Sequence, residues 1–491
     1  FKDPRSLSPL VKRSGLQSAM ASPLGLPAFV RDVSGLRLVY IDPKGEALST
    51  AKEFSLQKVK VATWSPNGQS LAFVDPNAGV SVAAFPEGEA EPTTTTLSGS
   101  NKNTIGMYWS PLGTTLVTVG LYQKGSTEPN LQLWRRTDAG EFECTAAFVH
   151  PKLEAKHQVV KWTPDESFCC RLLPDGSAEL STSAGTAAPA AFQFPRAAGC
   201  VEFAPLSSGA TKLAIFVPDL RDDMQRAAAP AEISVWEVRN GNEIEKVECM
   251  KAEVEVGQLA ELKWCSSGTA LLAHSSTEVD DSGKNYYGQT KLLLASADGQ
   301  VQKDLTETDT ATSGALGVAV QAVEWSPTRD EFILLRGYQP AKVTLWSWDS
   351  TARTVTCAKV LTEKAHRNFI RFNHFGSLVC IAGFGNLAGE MDFYGRSGEK
   401  TDFVRISKCE ANCAVSAEWG ADGRHLMTAV LFPRMRVDNG ITLWNALMGT
   451  KVVSSPSDEL YEVEWKPGLS EKGGFEDVTS EEISRAGAAA A

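Results

Sequence analysis

A chain of 491 residues, 43% hydrophobic and 22% charged, has a globular composition and the length of about three ordinary domains, which excludes a disordered or fibrous polymer. Its 48 basic against 59 acidic residues leave a formal net charge of −11, which excludes a generally basic nucleic-acid binder but leaves room for a local basic patch. No apolar run approaches the roughly 18 residues of a membrane span, and ten scattered cysteines without a C-x-x-C pair predict a reduced, cytoplasmic protein with neither disulfides nor zinc.

Residues 1–23, rich in Ser, Pro, Lys, Arg and Gly, read as a flexible arm. Lys2, Arg5, Lys12 and Arg13 are followed by no apolar core, so no signal peptide is expected; the opening Phe1 suggests that the native start lies upstream. Two short strands follow, Pro27 to Val30 and Leu36 to Tyr40, with a turn at Asp42-Pro43-Lys44-Gly45. Then comes a unit that recurs to the end of the chain. In its first copy Val59, Val61 and Thr63 alternate as in a half-buried strand, Ser65-Pro66-Asn67-Gly68 supplies a turn, and Leu71 to Val74 is a short apolar strand.

Nine aromatic anchors mark the copies: Trp64, Trp109, Trp162, Phe203, Trp264, Trp325, Phe372, Trp419 and Trp465. They lie 41 to 61 residues apart, mostly near the period of about 40–50 that marks a β-propeller blade. The two longest intervals, on either side of Trp264, predict loop insertions. A second marker falls after most anchors, as in Leu131-Gln132-Leu133-Trp134, Ile233-Ser234-Val235-Trp236, Val343-Thr344-Leu345-Trp346 and Ile441-Thr442-Leu443-Trp444, and reads as the third strand of a four-stranded blade. These aromatics are packing residues between facing sheets. A blade cannot bury both of its apolar faces alone, so blades must close a ring. The last anchor strand, Tyr461 to Trp465, lacks followers, and Leu36 to Tyr40 lacks a preceding anchor. The fold predicted is therefore all-β: a nine-bladed β-propeller over residues 24–467, closed by N-terminal strands pairing with the C-terminal strand. Residues 468–491 form a polar C-terminal extension, with a short helix expected over Glu481 to Ala491.

Little in the chain asks for catalysis or a metal. The run Gly383-Phe384-Gly385-Asn386-Leu387-Ala388-Gly389 is flanked by strands and has the wrong spacing for a dinucleotide loop, so it reads as a blade hairpin. Glu278 to Gly283 starts like a calcium loop but has Gln289 at the twelfth position and no flanking helices. The six histidines show no ligand spacing, and no nucleophile elbow, Walker loop or H-E-x-x-H occurs. No catalytic residue, metal ligand or cofactor is therefore assigned. Two loops are candidates for binding chemistry, each beside a plainer reading: a surface pair or a salt bridge to Asp438 for the first, tyrosines packing a long hairpin for the second. Pro433-Arg434-Met435-Arg436 puts Arg434 and Arg436 on one side of an extended segment, and arginine forks suit phosphates. Lys284 beside Tyr286 and Tyr287 pairs a cation with aromatics that can stack on bases. Arg367 and Lys342 add positive charge.

At these stretches the chain resembles a known family. Tyr286-Tyr287-Gly288-Gln289-Thr290, Pro340-Ala341-Lys342-Val343-Thr344, Arg367-Asn368, the Gly383–Gly389 run and Pro433 to Gly440 are similar to the signature runs of eukaryotic translation initiation factor 2A, in order from about Gly35 to Pro467. The large propeller subunit of initiation factor 3 is a relative with a similar Val-Asp-Asn loop, but Phe1 to Leu26 is too short for the RNA-recognition module that precedes its propeller. The resemblance implies a non-catalytic, WD-repeat-like factor that binds the small ribosomal subunit, its rRNA and proteins, and promotes initiator methionyl-tRNA binding on a subset of mRNAs. It also implies contacts with other initiation factors and none with membranes. Family members continue into a lysine-rich helical tail, so residues 468–491, which are acidic, are expected to be only its start. The rival expectation is a propeller scaffold for protein–protein interaction.

Overall fold

In the computed structural model the described residues are 25–490, apart from 44–47, 86–91, 138, 152, 154–157, 183–188, 195, 206–209, 222–226, 241–242, 256, 278–287, 307–318, 399–401 and 470–473. They build nine four-stranded antiparallel sheets, with one two-stranded hairpin (Leu220–Arg221 with Ala227–Ala229) in the long interval before Trp264. The nine sheets are the blades of a closed β-propeller, as the anchor count predicts. Blade 1 takes its first strand from the C-terminal end, Leu460–Trp465, and its other three from Leu26–Asp32, Gly35–Ile41 and Leu48–Leu56. Blades 2 to 9 begin at Ala62–Trp64, Thr104–Trp109, Val160–Trp162, Cys200–Phe203, Leu259–Trp264, Val320–Trp325, Phe369–Phe372 and Ser416–Trp419. Both phenylalanine anchors are thus true blade starts.

The seam is a regular antiparallel ladder: Ala28 faces Trp465, Phe29 faces Glu464, Val30 faces Val463 and Arg31 faces Glu462. The period of two sorts its residues to opposite faces. Leu26, Ala28 and Val30 pack with Met427, Ala429 and Leu443 of blade 9. Phe29, Leu36 and Leu38 pack with Ala62, Trp64 and Leu71 of blade 2. Buried apolar clusters of this kind fill the space between every pair of neighbouring blades.

The anchor motif has two further tasks. The residue after the aromatic closes the turn between first and second strands. Ser65 Oγ, Ser110 Oγ, Thr163 Oγ1, Cys265 Sγ and Asn373 Oδ1 each accept the amide N–H five residues on, at 2.9–3.2 Å. The indole N–H reaches the preceding blade instead. Trp109, Trp264, Trp325, Trp419 and Trp465 donate to the backbone carbonyls of Thr63, Glu202, Lys263, Arg371 and Glu418, at 2.9–3.3 Å. Each acceptor immediately precedes its own blade's anchor, so the bonds step round the ring from blade to blade. From blade 4 to blade 9 the side chains of that same position line the central channel, where charges alternate: Lys161 pairs with Glu202 at 2.8 Å and Lys263 with Glu324 at 2.9 Å. The alternation fails at the seam. Glu464 follows Glu418 round the channel wall. Burial first, then the charges of Glu418 and Glu462, push its carboxyl up to about 8.

The C-terminal extension folds back across the turn end of the ring. Helix α1 (Ser480–Ala490) is started by a reciprocal cap in which the Glu482 amide donates to Thr479 Oγ1 and the Thr479 amide donates to Glu482 Oε2. Ile483 and Val478 enter the apolar cluster between blades 8 and 9, Ile483 over Gly395, where any Cβ would stand 2.8 Å from its side chain. Arg424 grips Glu482 with two bonds of 2.8 and 3.2 Å.

Two outcomes follow for stability. A chain ending after Pro467 retains one cooperative thermal transition, lowered by about 2–4 kcal/mol for the lost burial of Val478 and Ile483; a chain ending after Ser457, which lacks the closing strand, loses cooperative unfolding. Glu464 is protonated in the folded protein up to about pH 8 but ionises near 4.5 once unfolded, so its contribution is fully present below pH 4.5 and is lost as pH rises through 8. Glu464→Gln therefore leaves stability at pH 4 unchanged and raises it at pH 9 by on the order of 2–4 kcal/mol, read from paired denaturant titrations.

A loop face knitted across blades 6 to 9

Each blade's first-to-second turn lies at one end of the ring, and its second-to-third loop lies at the other. By this topology residues 288–290, 338–344, 365–368, 382–389 and 433–440 all reach the same end, on consecutive blades. The structure joins them with side-chain bonds to backbone. Gln321 Nε2 donates to Gly337 O (3.2 Å) and Gln339 Nε2 to Arg367 O (2.6 Å), while Gln339 Oε1 accepts from Arg367 N (3.1 Å). Asn368 clasps Phe384 through both its amide atoms, at 3.0 and 2.9 Å. The Gly385 amide donates to Ala414 O (3.2 Å), and Asn439 holds its own loop through Met435 O while accepting from the Leu460 amide. Spacing alone does not reveal Gln339, Asn368 and Asn439; the available signal is that Asn368 and Asn439 are amide side chains inside signature runs and Gln339 directly precedes one.

The glycines of the 383–389 run serve this packing. A Cβ on Gly383 would lie 2.2 Å from His366 O, and one on Gly389, whose φ is +90°, 2.3 Å from Ala411 O. The run is the loop of a blade, as its flanks predict, and its glycines admit the neighbouring loops.

The candidate cations separate into different environments. Arg434 and Arg436 are exposed, with Val437 (62% exposed) beside them. Arg434 receives orientation from Asn386 Oδ1 at 3.2 Å and leaves the rest of its fork open to solvent. Lys342 lies 3.3 Å from Glu363 on its own blade's outer strand, which reduces its value as an anion contact. Lys284, Tyr286 and Tyr287 lie outside the described residues.

Arg367 requires a correction. Expected to offer charge outward, its side chain is only 3% exposed, pointing into blade 8, where it meets Asp392 at 2.6 Å and Glu390 at 2.8 Å and also donates to His366 O. Lys408 and then Arg367 hold the Glu390 carboxyl down to about 2. A cation needs a buried partner to be taken out of water, and Asp392 supplies it. Arg367 is thus a pin beneath the loop face. Arg367→Gln strands that carboxylate and is expected to cost about 3 kcal/mol in urea unfolding, far more than removal of an exposed arginine.

Comparison with known proteins gives this geometry a family. The family model described as Eukaryotic translation initiation factor eIF2A matches residues 256–463, the blades that carry the loop face. Eukaryotic translation initiation factor 2A of Dictyostelium discoideum is 30% identical over 373 residues, covering 75% of this chain and 55% of the relative. That of Schizosaccharomyces pombe is 30% identical over 430 residues, covering 87% and 66%. The chain thus spans between about half and two thirds of the length of these relatives. A solved structure described as that of the eukaryotic initiation factor superposes with a TM-score of 0.68 at 23% identity, covering 90% of this chain and 99% of the other, and shares the fold. The chain belongs to the eukaryotic translation initiation factor 2A family.

Proposed function

We propose that the protein acts in translation initiation as a non-catalytic docking body, and that the loop face of blades 6 to 9 is its contact with the small ribosomal subunit. The observation that carries this reading is the pair Arg434 and Arg436: exposed, on a loop clamped by Asn439, with Arg434 set by Asn386. Guanidinium groups held in this way meet phosphates without a large ordering cost. In a chain of net charge −11 they also concentrate positive charge where the rest of the surface would repel RNA. Membership of the family supports a role among translation factors. Initiator methionyl-tRNA, a subset of mRNAs and other initiation factors are the further partners of this reading, and the cytoplasm its compartment. No described helix is long and apolar enough to cross a membrane.

A second reading, a protein–protein scaffold, is favoured by Val437, an exposed aliphatic residue between the arginine and Asp438. Sedimentation with purified small ribosomal particles separates the two. Replacing Arg434 and Arg436 with Glu is expected to weaken association and to lower the slope of log affinity against log salt by about 1 per arginine. Association unchanged in strength and salt dependence would support the scaffold instead.

A further inference from the structure

At the opposite end of the ring, helix α1 leaves a groove along the rim of blades 8 and 9. The groove has a volume of about 610 Å³ and is bounded by Arg405 and Lys408 of blade 8, Leu447 and Met448 of blade 9, and Arg485 and Ala489 of the helix. Its walls are fixed in place. Ser407 Oγ donates to Ala446 O at 2.6 Å, which ties the blade 9 turn to the outer strand of blade 8. Gly449, at φ +64°, lets that turn approach so closely that a Cβ would stand 2.9 Å from Ser407 Cβ. Arg424 holds the helix to blade 9 through Glu482.

Two features of this groove are unused by the fold. Met448 stands 72% exposed at the tip of a rigid turn. Arg405 and Arg485 are exposed and meet no carboxylate among the described residues. Methionine is an adaptable contact on binding surfaces, and small residues on α1 allow a second backbone to lie close. A narrow apolar floor beside a helix, with arginines on both rims, matches a helix that carries a leucine stripe flanked by glutamate or aspartate. Preformed walls lower the ordering cost of such a contact.

We propose that this groove binds an acidic amphipathic helix of a partner protein, laid alongside α1 with its apolar stripe on Leu447 and Met448 and its carboxylates on Arg405 and Arg485. The site lies at the other end of the ring from the loop face and shares no residue with it.

The test is fluorescence anisotropy with the whole chain and a labelled synthetic helix of about five turns, with leucines on one face and glutamates at its borders. Binding is expected, weakened at least about tenfold by Met448→Glu and again by Arg405→Glu with Arg485→Glu. The arginine variant is expected to prefer a peptide with lysine in place of glutamate. All variants change exposed side chains, and unchanged melting temperatures confirm their fold. Absence of binding, equal binding of acidic and basic peptides, or indifference to Met448→Glu overturns the proposal. So does concentration-dependent dimerisation of the unmodified chain that Met448→Glu removes, because a second copy would then occupy the groove.

Discussion

The pairing of Leu460–Trp465 with Leu26–Asp32 is the constraint on which the molecule depends. Each blade presents two apolar faces, and each face is buried only by a neighbour. An open stack of nine would leave the outer faces of its two end blades in water. Closure removes both ends at once, and this chain achieves it by building blade 1 from its two extremities. Blade 1 accordingly packs on blade 9 through one set of alternating residues and on blade 2 through the other. The indole bonds add directionality, since each fixes the height of one innermost strand against the last. The innermost strands therefore align around the channel, and charged side chains alternate there wherever neighbours carry opposite signs. Two glutamates fall side by side at the junction, Glu418 and Glu464, and both carboxyls are raised, by burial first.

A closed ring also gives the loops their function. Loops on separate blades would move independently if each were attached only to its own sheet. Here Gln339, Asn368 and Asn439 bond across or within loops, and the buried Arg367 pins the strand ends beneath them. The result is a continuous surface over several blades, with Arg434 and Arg436 presented on it. The two ends of the ring differ in build. The loop end is joined by amide side chains and carries the exposed arginine pair. The turn end is crossed by α1, which plugs the gap between blades 8 and 9 with Ile483 and leaves a groove beside it.

Much of the architecture was legible in the sequence because it is written locally. The spacing of the anchors from Trp64 to Trp465 set the number of blades, and the orphaned strand at Tyr461 to Trp465 pointed to a blade shared by both termini. The signature loops marked the family. What was not legible depends on contacts between residues far apart in the chain. Arg367 reads in the sequence as one more cation beside a histidine; only pairing with Asp392 on another strand shows it to be internal. Nothing near Gly395 predicts that it makes room for Ile483. The hydroxyl residue after Trp64, Trp109 and Trp162 reads as turn chemistry, and it is, but the indole's reach to the preceding blade requires the ring to be seen.

Native-state hydrogen exchange at the seam tests this account most directly. If the terminal strands close the ring, the amides of Ala28 to Arg31 and those of Glu462, Glu464 and Lys466 that face them exchange only through global unfolding, with the same free energy and denaturant dependence as those of Phe332 to Leu335 in the middle of blade 7. Exchange at the seam through local fraying, at a free energy several kcal/mol below that of blade 7, would show that the blades hold together without it and would contradict the account.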